Sequence, residues 1–88
     1  MKNFIKDPNA VLDYFWDWSL WLDGDVITEY TITVPEGLTK GADAQVDGVI
    51  AVWLSGGTLN QKYQVTCDIV TATGRTDRRS GIFRIKPQ

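Results

Sequence analysis

The chain of 88 residues has no histidine and a single cysteine, Cys67. The commonest general base and the commonest metal ligand are therefore both missing, and no intrachain disulfide can form. Cys67 lies in an alternating segment without a candidate base beside it, so we expect an inert buried thiol. Asp23-Gly24-Asp25 lacks the roughly six to eight oxygen ligands of a calcium site, and Ser55-Gly56-Gly57 lacks the lysine of a phosphate-binding loop. These absences predict a protein without cofactor, metal or enzymatic activity.

Long apolar runs are also missing. No stretch reaches the roughly 20 apolar residues of a transmembrane helix, and the first residues lack the apolar segment of a signal peptide. We therefore expect synthesis in the cytoplasm and no membrane contact.

Charge is unevenly distributed along the chain, although the net charge is only −2. Residues 1–48 carry nine acidic and three basic side chains, net −6, and residues 49–88 carry two acidic and six basic ones, net +4. The pI near 4.8 and the lack of interleaved aromatic residues argue against nucleic-acid binding by the C-terminal basic cluster. That cluster consists of Arg75, Arg78, Arg79, Arg84 and Lys86.

Aromatic residues, by contrast, are concentrated between Val11 and Leu22, which hold three of the four tryptophans. With a period of two, one face of this segment is apolar and the other carries Asp13 and Asp17, which predicts a central core strand with one buried face. Phe15 lies between the two aspartates, so either a bulge turns it inward or that face contacts another surface. The residues of the predicted buried face are Leu12, Tyr14, Trp16 and Trp18.

The rest of the chain reads as short strands separated by glycine and proline turns, with one short helical turn after the aromatic segment. This pattern predicts one domain over residues 1–88, an antiparallel β-sandwich of the immunoglobulin or fibronectin III type. Tyr63, near the start of a strand, is expected to form a tyrosine corner. The predicted segments are a short first one at 3–6, a helical turn at 19–25, strands at 26–34, 44–54, 62–73 and 80–85, and a connector at 38–43.

Alternation also assigns residues to faces on three of the other predicted strands, and on two of them it predicts which residues point inward. On 26–34 and 62–73 these are Val26, Tyr30, Ile32 and Val34, and Tyr63, Val65, Cys67 and Ile69. On 44–54, Val46, Ile50, Val52 and Leu54 share one face and Val49, Ala51 and Trp53 the other.

Two surface groups are candidates for partner binding. Trp53 and Val49 lie on an apolar strand face opposite another apolar face, so one face is expected to meet a partner unless the sandwich covers both. Arg75, Arg78 and Arg79 are expected at an exposed hairpin tip, where they either pair with acidic groups of a neighbouring copy or remain solvated.

A set of short motifs, each weak alone, follows in a fixed order from Asp7 to Arg84. The motifs are Asp13-Tyr14, Asp17-Trp18-Ser19 with Trp21-Leu22, Thr33-Val34-Pro35 with Gly37-Leu38-Thr39, Val52 to Thr58, Tyr63 with Val65-Thr66-Cys67, and Gly74 to Asp77 with Arg79-Ser80. Together they resemble a family of very short bacteriophage proteins described as fiber-tail adaptors or minor virion structural proteins. The resemblance implies a glycine near Asn60, in the turn before Tyr63, where this sequence has asparagine.

The resemblance implies a structural role in the virion, in which several symmetry-related copies bind tail, neck or fiber proteins. Two alternatives remain open from the residues. The chain could be a recognition module that binds a host-surface glycan or protein through exposed aromatic residues, or a capsid decoration protein.

Overall fold

Two β-sheets pack face to face in the computed structural model, which describes residues 2–86. The four-stranded sheet has the strand order β1-β7-β6-β3 and the three-stranded sheet the order β2-β5-β4. All neighbours are antiparallel except β1 and β7, which are parallel. The predicted antiparallel β-sandwich is confirmed. Its elements are β1 Lys2–Lys6, β2 Leu12–Asp17, α1 Ser19–Leu22, β3 Ile27–Thr33, β4 Leu38–Val46, β5 Val49–Gly56, β6 Lys62–Thr71 and β7 Thr76–Ile85.

The immunoglobulin-like classification stays a prediction, which the strand order supports. An immunoglobulin constant domain pairs its third, sixth and seventh strands in one sheet and its second, fifth and fourth strands in the other. The same order is found here, with β1 on the edge of β7. Tyr63 also makes the hydrogen bond of a tyrosine corner, because its hydroxyl accepts the backbone N–H of Thr58 at 2.9 Å.

The core lies between the two sheets and follows the predicted alternation on β6, where Val65, Cys67 and Ile69 are buried. Three aromatic rings pack at the β1 end, with ring centroids of Phe4, Tyr14 and Phe83 between 4.4 and 5.2 Å apart. Gly81 leaves space for this cluster, because a Cβ there would lie 3.0 Å from Phe4 Cε2. The other large buried side chains include Trp16, Trp18, Ile50, Val52, Leu54 and Ile85.

The aromatic segment is not one central strand, and this prediction is wrong. β2 ends at Asp17 and lies at the edge of its sheet, whose centre is β5. The Asp17 carboxylate accepts the backbone N–H of Ser19 at 2.8 Å, which turns the chain into α1. The predicted burial holds for Trp16 and Trp18, whereas Leu12 is exposed at the start of the edge strand.

The helical turn is shorter than predicted. α1 ends at Leu22, which is buried, and Ser19 makes no side-chain cap; the structural N-cap is Trp18. Asp23 takes the left-handed conformation at the C-cap with φ 47°, the position at which glycine is common. The left-handed residue that ends the helical turn is therefore Asp23, one residue before Gly24.

The predicted strand 44–54 is in fact a hairpin of β4 and β5. Asp47 and Gly48 have φ values of 51° and 85°, the two positive values of the tight turn for which Asp-Gly is a strong signal. The segment 38–43, expected to be a connector, is the first part of β4. Across the turn Val46 pairs with Val49, so Val46 faces outward rather than sharing the buried face of Ile50.

Two further strand predictions change by a few residues. A register shift between Ile27 and Glu29 puts Ile27 in the core and leaves Val26 exposed, while Tyr30 keeps its predicted inward position. β7 begins at Thr76 rather than Ser80.

Candidate protein-binding site

The outer face of the three-stranded sheet is largely apolar. Strand pairing puts Phe15, Ala51 and Ala44 side by side in one row, and Val49 beside Val46 in the next. Trp53 lies two residues further along β5, beyond Ala51, since residues two apart on a strand share a face. We call these six residues the apolar face: Phe15, Ala44, Val46, Val49, Ala51 and Trp53.

The apolar face is open to solvent. Phe15 is 60% exposed, Val46 65% and Trp53 45%, while Val49 and Ala51 are half-buried beneath them. Gly41 permits this arrangement at its edge, because a Cβ on Gly41 would lie 3.3 Å from Trp53 Cβ. Of the two alternatives for Phe15, the inward turn at a bulge does not occur. Phe15 points outward and shares a surface with Trp53 and Val49.

Acidic side chains border the apolar face on the β2 side. Asp13 lies directly across from Trp53 and Asp17 directly across from Val49, and both aspartates are exposed. The outer face of the four-stranded sheet has a different character, because its rows pair Thr66 with Ser80 and Lys62 with Arg84. The two outer faces thus differ in polarity, and the basic side chains Lys62 and Arg84 lie on the four-stranded one.

Arg75 holds α1 against the end of the sandwich. Its guanidinium lies 4.2 Å from the centroid of the Trp21 ring, and its Nη2 donates to the carbonyl of Leu22 at 2.7 Å. Its Nε also donates to Asp25 Oδ2 at 3.1 Å. Hydrogen bonds from Thr71 first, then from Thr73, hold the pKa of Asp25 well below its usual range. Arg75 was expected at a hairpin tip and lies there. Its guanidinium, however, binds groups of its own domain.

Arg79 faces into the sandwich rather than away from it. Its guanidinium lies 4.8 Å from the Trp18 ring centroid, and Nη1 donates to the carbonyl of Asp17 at 2.7 Å. Asp77 completes this group, since its carboxylate accepts the indole N–H of Trp18 at 2.9 Å and lies 3.6 Å from Arg79 Nε. This cluster fixes the chain where β2 passes into α1.

Arg78 is the most exposed of the three arginines, with 72% of its side chain accessible. Its Nε donates to Asp68 Oδ1 at 2.7 Å on the outer face of the four-stranded sheet. The structure therefore does not bring the predicted partner-binding residues together: Arg78 lies on the side of the sandwich opposite Trp53 and Val49.

Reactive groups offer no alternative site within residues 2–86. Cys67 is fully buried, and burial raises the pKa of its thiol to about 12. Among the described residues, no three or more Asp, Glu or Cys side chains are grouped closely enough to hold a metal ion. No helix in this part of the chain is long and apolar enough to cross a membrane.

Phe15 and Val46 were not assigned to the partner-binding set from the sequence. A signal for each was available. Phe15 shares with Asp13 and Asp17 the strand face that was expected to contact another surface unless a bulge turned Phe15 inward. Asp47-Gly48 predicts a hairpin turn, and a hairpin places Val46 across from Val49.

These features define a small β-sandwich protein whose distinguishing surface is an exposed apolar sheet face. The sequence matches the family model of the podophage GP4 fiber-tail adaptor protein gp77 over residues 6–84. The match covers most of the chain, which therefore belongs to this family, and the resemblance drawn from the motifs is confirmed. A search of curated proteins found no significant match.

Proposed function

We propose that this protein is a non-enzymatic adaptor of a podophage virion that joins the tail to its fibers, and that it binds one of these proteins through the apolar face. The family match supports the adaptor role. The exposure of Phe15 and Trp53 carries the assignment of the surface, because soluble proteins seldom leave a contiguous apolar patch in water without a binding partner.

The border of the apolar face indicates the chemistry of the partner. Aromatic residues at the centre of an interface and charges at its rim are the usual arrangement, in which the rim sets orientation more than affinity. Asp13 and Asp17 lie on the β2 side of the apolar face. The partner virion protein should therefore have a binding surface that is apolar at its centre and carries Lys or Arg along one border.

Phage particles that carry the double variant Phe15→Ser and Trp53→Ser test the assignment. We expect purified particles to lose this chain or the fibers attached through it, because the interface centre is removed. The matched control is Leu20→Ser with Leu59→Ser, which removes two exposed apolar side chains outside the apolar face. Normal amounts of both chain and fibers in the double variant would contradict the proposal.

Arg78 is the proposed contact to acidic groups of a neighbouring virion protein or copy, because its side chain stays 72% exposed although it pairs with Asp68, whereas Arg75 and Arg79 bind backbone carbonyls at α1 and at the end of β2. The adaptor role also implies a virion location after synthesis in the host cytoplasm. Arg78→Ser should lower incorporation into particles without changing the melting temperature by more than a degree or two, and unchanged incorporation would remove Arg78 from the interface.

A glycan-binding role is the second candidate, favoured by one observation. Trp53 is exposed beside Asp13, and an aromatic ring next to a carboxylate can both stack on a sugar and accept its hydroxyl hydrogen bonds. Glycan-array binding by the purified protein, abolished by Trp53→Ser, would favour this role. Absence of binding would leave the adaptor role.

A further inference from the structure

The open strand edges of the sandwich differ in their protection. Each sheet of the described chain has two edge strands: β1 and β3 in one, β2 and β4 in the other. An edge strand presents unpaired backbone N–H and C=O groups, and proteins usually protect it by shortness, charges, proline or a bulge. β1 has only five residues, β2 carries Asp13 and Asp17, and β4 is interrupted by a register shift between Lys40 and Asp43.

β3 is seven residues long, and its protection lies at its start, where it has a register shift at Ile27 and the charge of Glu29. After the register shift at Ile27, the pairing with β6 is regular from Glu29 to Thr33. Glu29 at the start of this stretch is its one charged residue, the stretch contains no Pro, and its β-branched residues favour extended pairing. Thr31 and Thr33 are exposed on the outer side, and Tyr30 and Ile32 are half-buried on the core side.

The β3 edge is also held in place. The Tyr30 hydroxyl donates to Asp43 Oδ1 at 2.5 Å, which ties β3 of one sheet to β4 of the other. Lys40 forms an ion pair with the same carboxylate. An edge fixed in this way can pair with another strand at a smaller entropic cost than a loose one.

We propose that β3 pairs antiparallel with β3 of a second copy of this chain, joining the two four-stranded sheets into one continuous sheet about a two-fold axis. The regular stretch Glu29 to Thr33 is centred on Thr31, so the axis would pass at Thr31. Thr31 would then face Thr31 of the second copy, and Tyr30 would face Ile32.

Charge and side-chain pairing favour β3 of a second copy as the strand that pairs with β3. In the register centred on Thr31, Glu29 faces Thr33 of the second copy, so no like charges meet, and threonine pairs and aromatic to β-branched pairs are favourable across strands. The same construction on β2, centred on Phe15, would bring Asp13 against Asp17 of the second copy, an unfavourable like-charge contact. A two-fold contact of this kind is self-complementary and closes at a dimer.

Sedimentation equilibrium of the purified full chain, with charge variants at the axis, tests the proposal. Thr31→Lys and Thr31→Glu each place like charges opposite each other, so each should raise the dimer dissociation constant at least about tenfold. An equimolar mixture of the two should restore dimers, because Lys then faces Glu. Gln64→Lys is the control: Gln64 is exposed on the interior strand β6, and the same charge change there should leave the dimer intact.

Three results would overturn the proposal: a monomeric parent chain up to about millimolar concentration, a dimer that Thr31→Lys does not weaken, or a mixture that fails to restore pairing. Circular dichroism of each variant confirms that the domain itself remains folded. The measurement needs no other virion protein, so its outcome is independent of the adaptor role.

Discussion

The indole N–H of Trp18 donates a hydrogen bond to the carboxylate of Asp77 at 2.9 Å, across 59 positions of the chain. Trp18 is fully buried, and its ring packs under the guanidinium of Arg79. A large apolar body with one polar atom is stable in a core only when that atom finds a partner. The pair therefore joins the end of β2 to the start of β7 and fixes where the two sheets meet.

Trp18→Phe should destabilise the domain by about 2 to 4 kcal/mol. The substitution leaves a cavity and deprives the Asp77 carboxylate of a hydrogen-bond donor. Chemical denaturation measures the change. The control is Trp53→Phe, the same substitution at an exposed site, where we expect a loss below about 1 kcal/mol. Equal losses at both sites would contradict the assigned role of Trp18.

Arg75→Ala should loosen α1 selectively. The guanidinium contributes a stacking contact with Trp21 and a hydrogen bond to the Leu22 carbonyl, and its removal frees the short helix. We expect a total loss of about 1 to 2 kcal/mol, with the largest increase in amide hydrogen exchange at 19–22. Arg78→Ala, which removes an exposed ion pair, should cost less than about 1 kcal/mol. Unchanged exchange at 19–22 would show that α1 is held by Leu22 packing alone.

Tyr14→Phe should be neutral or stabilise the domain by up to about 1 kcal/mol. The Tyr14 hydroxyl is buried without a hydrogen-bond partner, while its ring packs between Phe4 and Phe83. Removing an unsatisfied polar atom relieves a desolvation cost and keeps the ring contacts. Tyr14→Ala, which removes the ring as well, should cost about 3 to 5 kcal/mol. A clear loss of stability on Tyr14→Phe would reveal a partner for the hydroxyl.

The strands with strict alternation were predictable from sequence, because a strand with one buried face has apolar residues at every second position. β6 is the clearest case, with Val65, Cys67 and Ile69 inward as expected. Tyr63 could also be placed, since its hydrogen bond depends on a local turn. Asn60, near which the family resemblance implied a glycine, has φ 67°, a conformation that asparagine tolerates.

The errors arose where alternation does not determine the structure. Residues 44–54 alternate on both sides of Asp47-Gly48, so the pattern alone joined the end of β4 to β5 across the turn that separates them. The bulge at Ile27 shifted the inward positions by one, a local event that apolar spacing does not reveal. Only part of the apolar face could be predicted from the sequence, because its β4 residues join it only when β4 is known to lie beside β5.

Gly48→Ala should destabilise the domain more than Gly74→Ala. Both glycines have positive φ, 85° and 90°, so the backbone cost of alanine is similar at the two sites. A Cβ at Gly48 would lie 2.7 Å from Leu22 Cδ1, whereas nothing lies within 4 Å of the corresponding point at Gly74. We expect about 1 kcal/mol at Gly74 and about 2 to 3 kcal/mol at Gly48 by thermal denaturation. Equal costs would mean that Leu22 moves aside freely.

Stability should fall as the pH drops below the ordinary carboxyl pKa, and Asp25 should be a main contributor. Hydrogen bonds from Thr71 and Thr73, and a further one from Arg75, lower the pKa of the folded-state carboxyl from 3.8. A lowered folded-state pKa gives stability that is present above the unfolded-state value and is lost as the pH falls toward the folded-state value. Asp25→Asn should therefore be less stable than the parent at pH 7 and lose less on acidification from pH about 5 to 2. Asp23→Asn, the same substitution at an exposed neighbouring position, is the matched control. Parallel acid curves for the parent and Asp25→Asn would show that other carboxylates govern acid unfolding.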